Sequence, residues 1–270
     1  MRRIMCLTRE DETDCEPEDV LRRIETAKKS AHSVIKEIRK SRDVKRTLKV
    51  HMEPWGDLCL HEYRWNLKRV VLSPFRISKG RKIWVYYEGL RRKNISVPEP
   101  VFFLEIKVLF VVIRTYIATR WIAEGTKLSQ LAAKKDIHPD HFRTILCKCV
   151  NAVINLHESG FVHGDLKWSN LLIVPGKDAV VFTDIDALRK TSDPLSQCKD
   201  FARIFRPPSR CRLDSGTAEM MILQYLSGRS SLGDPLLEKR LRFYIARQKS
   251  RRNDQFLCRY EKGCGAGESV

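Results

Sequence analysis

Two short acidic clusters carry the chemistry open to this chain. The first is His163-Gly164-Asp165-Leu166-Lys167-Trp168-Ser169-Asn170, followed by the apolar run Leu171-Leu172-Ile173. The second, Val180-Val181-Phe182-Thr183-Asp184-Ile185-Asp186, reads as a short apolar strand ending in an acid. Phosphoryl transfer to a hydroxyl needs a carboxylate that orients or deprotonates the attacking oxygen. It also needs an amide oxygen and a second carboxylate for a divalent cation. Asp165, Asn170 and Asp184 are of those types. Taken singly, a turn-forming Asp or Asn simply caps a loop. Two such clusters in sequence make that the weaker reading.

The first cluster resembles the catalytic loop of the protein-kinase fold. Asn155-Leu156-His157-Glu158-Ser159-Gly160-Phe161-Val162 resembles the helix end that precedes such loops. The resemblance implies a task for each residue. Asp165 accepts or orients the proton of the substrate hydroxyl, and Lys167 offsets charge on the transferring γ-phosphate. Asn170 and Asp184 hold magnesium, which bridges the phosphate oxygens. His163 and Asp186 support the loops.

The elements that must position these residues divide the chain in three. Residues 1–31 read as a polar, acidic tail (to Asp19) and a short helix over Val20 to Lys29. Residues 32–122 read as a small sheet-based lobe, and 123–270 as a mainly helical lobe with a basic tail. In the small lobe, strands are expected over Ser33–Ile38, Val44–Met52 and Leu58–Trp65, with Glu53 to Asp57 as a turn. A helix over Lys79–Arg92 and a hairpin over Val101–Leu109 and Val111–Thr119 follow. In the large lobe the spacing predicts helices over Lys127–Lys135, Asp140–Ser159, Cys198–Phe205, Gly216–Tyr225 and Pro235–Lys249. The fold class is α+β, a two-lobed kinase-like fold.

The small lobe departs from the kinase pattern. No Gly-x-Gly-x-x-Gly loop occurs. The connection after the first strand of the 32–122 lobe is instead basic, with Lys36, Arg39, Lys40, Arg42, Lys45 and Arg46. Such side chains can hold triphosphate oxygens; a solvated charge run is the alternative. His61 falls where a kinase has its phosphate-binding Lys, and neutral imidazole does not replace a fixed charge near neutral pH. A turn centred on Trp55 sets Lys49 opposite His61, which makes Lys49 the candidate for the missing charge. Glu88, on the Lys79–Arg92 helix, is its candidate partner.

Composition bounds the rest. The chain has 270 residues, 43% of them hydrophobic, a size that fits one large domain or two lobes. The longest apolar run, Val108 to Ile113, is too short to cross a bilayer, and the start of the chain has no signal-peptide core, so a cytoplasmic location is expected. Nine scattered cysteines show no zinc spacing and read as free thiols. With 51 Lys and Arg against 33 Asp and Glu, the net charge of +18 favours an anionic partner.

The chain resembles the lipopolysaccharide core kinases, the Kdo/WaaP group with its InaA-like branch, over roughly Ser33 to Arg252. The residues that carry this are Ser78-Lys79-Gly80-Arg81-Lys82-Ile83-Trp84 with Gly89-Leu90, then Asn94-Ile95-Ser96-Val97-Pro98-Glu99-Pro100. To these are added the Asp165 loop, Asp184-Ile185-Asp186-Ala187 where protein kinases usually have Phe-Gly after the acid, and Lys199-Asp200-Phe201-Ala202-Arg203. The resemblance implies phosphorylation of a Kdo or heptose hydroxyl by ATP and Mg2+ at the cytoplasmic face of the inner membrane. The partners are then an anionic glycolipid and the membrane surface, with no nucleic acid. Two other readings stay open: an atypical Ser/Thr protein kinase, and a nucleotide-binding pseudokinase scaffold, which His61 favours. Only Ala187 to Leu195 separates Asp186 from the next helix, which leaves little to bind an extended peptide. Over Pro235–Lys249 the basic and apolar residues suit either an interfacial helix or an ordinary amphipathic one. Trp168 suits either a sugar-facing position or packing beneath the loop.

Overall fold

The computed structural model describes residues 2–8, 16–30, 34–40, 43–64, 78–109, 111–134, 136–176, 179–208, 213–229 and 235–248. They belong to two compact units, Met1–Ala123 and Glu124–Val270.

Among the described residues, the first unit is a six-stranded antiparallel sheet with one helix on each face. Its elements are β1 (Arg2–Thr8), α1 (Pro17–Ser30), β2 (Val34–Lys40), β3 (Asp43–Met52), β4 (Gly56–Arg64), α2 (Lys79–Arg92), β5 (Pro100–Val108) and β6 (Val111–Arg120). The strand order is β1-β5-β6-β4-β3-β2. One face buries Leu48, Val50, Leu58, Leu60, Phe102, Leu104 and Tyr116 against Val20, Ile24 and Ala27 of α1. On the other, α2 packs Trp84 on Phe103 (centroids 6.2 Å apart). β5 is covered on both faces and is therefore buried continuously from Pro100 to Ile106, while β4 alternates. Gly80 lets α2 approach, since a Cβ there would lie 2.3 Å from Thr115 Cγ2.

Two expectations are corrected here. Residues 2–8 are not part of a loose tail: they form β1, with Ile4 opposite Ile106 and Cys6 opposite Leu104. Ile4 and Cys6 pack on the core, and this alternation outweighs the polarity of their neighbours. The helix after it starts at Pro17. Nor is the basic run a connection. Lys36, Arg39 and Lys40 lie on β2, and Lys45 and Arg46 on β3; Arg42 is outside the described residues.

The second unit holds β7 (Thr126–Lys127), α3 (Leu128–Leu131), α4 (Pro139–Glu158), β8 (Phe161–Val162), β9 (Leu171–Val174), β10 (Ala179–Phe182), β11 (Arg189–Lys190), α5 (Pro194–Phe201) and α6 (Ser215–Ser227). A further helix, α7, spans 235–248. Small sheets β10-β9-β7 and β11-β8 frame the loops between α4 and α5. α4 buries Ile145, Leu146, Val150, Val153 and Leu156. Phe201 of α5 stacks on Tyr225 of α6 at 3.8 Å.

The helices expected over Lys127–Lys135 and Cys198–Phe205 have other bounds. The first is the single turn α3. The second starts at Pro194, capped by Asp193, whose carboxylate accepts from the N–H groups of Leu195 and Ser196, and tightens to a 3-10 turn from Ala202. In α7, Leu237, Leu241 and Ile245 are buried, the pattern of an amphipathic helix packed on its own unit.

Candidate active site

The loop between β8 and β9 holds the expected residues together. Lys167 Nζ lies 2.6 Å from Asp165 Oδ2. Asn170 Nδ2 donates to the backbone oxygen of Asp165 at 2.9 Å and to its Oδ2 at 3.3 Å. The Asn170 side chain is buried, whereas Asp165 and Lys167 remain 46% and 44% exposed. The carboxylate is thus fixed from beneath and open from outside.

Asp184 is joined to this loop through the residue before it. Thr183 N–H donates to the Asn170 carbonyl at 2.9 Å. His163 Nε2 donates to the Thr183 carbonyl at 3.0 Å, while its Nδ1 accepts from the Asp165 N–H at 3.4 Å. This pattern assigns neutral imidazole, and burial holds His163 below its usual pKa. His163 therefore braces both loops, and its one ring proton is engaged by the Thr183 carbonyl. Asp184 itself sits at φ 57° and ψ 49°, a left-handed conformation that short polar Asp tolerates better than most residues.

Asp200 is the residue whose task the sequence did not reveal. It is fully buried, and its carboxylate accepts from the N–H groups of His163 (2.7 Å) and Gly164 (2.9 Å) and from Arg203 (2.6 Å). Burial alone would raise its pKa. The hydrogen bond from His157, with the fields of His157, His163 and Arg203, outweighs that and holds the carboxyl below the usual range. His157 is itself held low by burial; its Nε2 donates to Asp200 at 3.3 Å and its Nδ1 accepts from Tyr225 Oη at 2.7 Å. Gly164 adds a second constraint. It sits at φ 81°, and a Cβ there would lie 2.2 Å from the Ala187 carbonyl oxygen. The only hint of Asp200 in the sequence was its place in the Lys199-to-Arg203 run.

The residues expected to meet nucleotide phosphates lie in the first unit. The register corrects one expectation: His61 faces Thr47, and Lys49 faces Cys59. Lys49 is still on the His61 face, one pair along, because the turn centres on Pro54. Its Nζ is 3.0 Å from Asp57 and 5.2 Å from the Trp121 ring centroid. His61 Nδ1 lies 3.2 Å from Thr47 Oγ1, and Nε2 lies 3.6 Å from Cys59 Sγ. Glu88 is half-buried on α2, and no ion pair among the described residues joins it to Lys49. Lys36 has its backbone opposite Thr47 on β2.

Trp168 packs beneath the loop. It is 1% exposed, donates Nε1–H to the Ile204 carbonyl at 2.6 Å and meets the Phe142 ring at 5.9 Å. No group of three or more His, Cys, Asp or Glu that could hold a metal occurs among the described residues. Asn170 and Asp184 are the two residues here that could hold magnesium, which keeps waters and substrate phosphates among its ligands and needs few from the protein.

The fold and this loop define a phosphotransferase of the protein-kinase-like class. Residues 68–215 match the lipopolysaccharide kinase (Kdo/WaaP) family, and the chain belongs to that family, whose members phosphorylate sugar hydroxyls of the lipopolysaccharide core. A solved structure of WaaP in complex with acyl carrier protein superposes with a TM-score of 0.63 at 15% identity, covering 93% of this chain and 98% of that one. The kinase domain of PknI from Mycobacterium tuberculosis is a more distant likeness, with a TM-score of 0.41 at 14% identity, covering 80% of this chain and 95% of that one. No curated protein matches the sequence. Family membership favours the core sugar kinase over the protein-kinase and scaffold readings.

Proposed function

We propose that this lipopolysaccharide core kinase transfers the γ-phosphoryl group of MgATP to a Kdo or heptose hydroxyl, with Asp165 accepting or orienting the hydroxyl proton. The observation that carries this assignment is the Asp165 carboxylate, clamped by Lys167 and Asn170 on one side and exposed on the other. In that position it can meet an incoming hydroxyl without moving. Lys167 offsets charge on the transferring group, a stabilisation that grows as charge develops. Asn170 and Asp184 are the residues that would hold magnesium, which when bound withdraws charge from phosphate oxygens. Lys49, with Lys36, is the candidate cation for nucleotide phosphates in the first unit; Glu88 is not carried forward as its partner.

The acceptor is a glycolipid, so the enzyme is proposed to work at the cytoplasmic face of the inner membrane. No helix among the described residues is long and apolar enough to cross a membrane. Helix α7 exposes Leu236 (53%) and Phe243 (60%) with Lys239 and Arg240 between them, which supports peripheral contact with an anionic lipid surface.

The test is transfer of labelled γ-phosphate from MgATP to purified rough lipopolysaccharide, beside an Asp165→Ala control. Labelled lipid that disappears in the control is the expected result. Nucleotide binding with no labelled lipid would overturn the proposal.

A further inference from the structure

The sheet face turned away from α1 carries a thiol with a base beside it. β4 is a central strand, paired with β3 on one side and β6 on the other. Its residues Asp57, Cys59 and His61 alternate with Leu58 and Leu60, which pack toward α1, so the three share the opposite face. Cys59 Sγ lies 3.6 Å from His61 Nε2, and His61 Nδ1 lies 3.2 Å from Thr47 Oγ1. A nucleophile, a base within its reach and a third group that orients the base are the parts of an activated nucleophile. Lys49 stands directly opposite Cys59 on β3, which adds an ammonium to the same face. Asp57, two residues along the strand, already holds Lys49 at 3.0 Å and His51 at 2.8 Å, so its charge is offset. From β6, Thr119 and Ile117 stand opposite Cys59 and His61, and neither is charged.

We propose that Cys59 is a modification site, a thiol that His61 deprotonates as it attacks a hydroperoxide to give a sulfenic acid. In the step, Nδ1–H donates to Thr47 Oγ1 and Nε2 takes the thiol proton. The S–O bond forms as the O–O bond breaks, the sulfur is oxidised and the peroxide reduced. The leaving oxygen receives the proton back from Nε2 and departs as water or an alcohol. Lys49 favours the thiolate by its charge. The other described cysteines lack these parts. Cys149 and Cys198 are buried, and burial pushes their thiols up to about 12 and about 11. Cys147 and Cys6 are partly exposed, as Cys59 is. However, Cys147 Sγ lies 3.8 Å from the Met220 thioether, which takes up no proton, and Cys6 packs on the core opposite Leu104. Oxidation has a consequence for Lys49, which rests on its assignment to nucleotide phosphates above. An oxygen on Cys59 Sγ is a new acceptor across from that ammonium and competes for it.

The test is site-resolved oxidation of the full chain by hydrogen peroxide, with dimedone trapping sulfenic acid and peptide mass spectrometry reading each cysteine. Cys59 is expected to be labelled at least about tenfold faster than Cys6 and Cys147, because a positioned base generates its thiolate. His61→Ala should slow labelling at Cys59 by about tenfold or more, and Thr47→Val by less. Thermal unfolding checks that both variants fold. Alkylation of the parent by iodoacetamide, followed against pH, needs no variant; its midpoint at Cys59 is expected below the ordinary thiol value of about 8.5. Labelling no faster than at Cys6 and Cys147, or an unchanged rate in folded His61→Ala, overturns the proposal. Calorimetry on the oxidised protein should show MgATP binding weakened by about threefold, the scale of an exposed charge contact. Selective oxidation that leaves MgATP binding untouched would keep the modification site and remove Lys49 from the nucleotide.

Discussion

Asp200 grips His163 by its backbone: the buried carboxylate oxygen lies 2.7 Å from the His163 N–H, two residues from the Asp165 side chain that the site needs. With Gly164 N–H and Arg203 on its other oxygen, Asp200 ties the start of the catalytic loop to α5. Replacing it by Ala strands two backbone donors and a partly buried guanidinium. Loss of one partner from a buried charged network typically costs about 3–5 kcal/mol. Asp200→Ala should therefore lower the midpoint of denaturant unfolding and abolish transfer together. A variant with native stability would show that the loop is held by other means.

Asp165→Asn should separate chemistry from folding. The side chain is 46% exposed, and Asn can still accept from Lys167 and Asn170. Removing a general base lowers rate by about 10²–10⁴-fold. The expected outcome is that fall in kcat with little change in unfolding midpoint or nucleotide affinity. Retention of more than about a tenth of the rate would remove Asp165 from the proton's path.

Much of this architecture was legible because local patterns agree with tertiary burial. Lys79–Arg92 is a helix with the bounds expected: Ser78 caps it and Ile83, Trp84, Tyr87 and Leu90 recur on one face. The Asp165–Asn170 cluster could be read because its spacing is a property of one continuous loop. β1 was missed because its seven residues carry only a weak alternation, decided by pairing with β5, about a hundred residues away. The Lys49 register was misplaced because a turn centre one residue earlier moves every partner by two, which preserves the face and changes the neighbour. Asp200 escaped because a carboxylate that binds backbone N–H groups across 37 residues leaves no local trace.

Gly164 and Gly176 form a natural comparison. Both have positive φ, 81° and 74°, but a Cβ at Gly164 would strike the Ala187 carbonyl, whereas nothing lies within 4 Å at Gly176. Gly176→Ala should cost only the left-handed penalty of about 1–2 kcal/mol. Gly164→Ala should cost more and should also depress kcat, because relief of the clash moves Asp165 against the Asp184 turn. Equal unfolding midpoints for the two variants would refute the close approach.

Acid sensitivity should begin near neutral pH and not only in the carboxylate range. His157 and His163 are both held below the ordinary value of 6.5, chiefly by burial. Below that pH the unfolded chain takes up protons that the native chain refuses, so stability falls as pH drops from about 6.5 toward the folded values. Each imidazole contributes a slope of up to about 1.4 kcal/mol per pH unit in that window. Asp200 acts further down. Its carboxyl is held below 3.8, and its contribution is lost only as pH falls through the folded value. Thermal midpoints between about pH 7.5 and about pH 5.5 should decline, and less steeply in His163→Asn. A flat parent profile would contradict neutral, buried imidazoles.

Lys49 and His61 are the two groups of the first unit set on one face where nucleotide phosphates are expected. His61 has Thr47 and Cys59 at its ring nitrogens, and an imidazole offers no fixed charge near neutral pH. Lys49 lies one pair along the same face with its ammonium on Asp57, a partner that is 46% exposed and can be exchanged for phosphate at small cost. If Lys49 serves the triphosphate, Lys49→Ala should weaken MgATP binding by about tenfold or more, the value of one charged hydrogen bond, and Lys49→Arg should recover most of it. Asp57→Asn should then leave nucleotide affinity unchanged or improve it, because the competing carboxylate is gone. His61→Ala should change affinity far less than Lys49→Ala. The opposite ranking in a calorimetric titration, with His61→Ala the damaging change and Lys49→Ala silent, would move the phosphate contact to the imidazole.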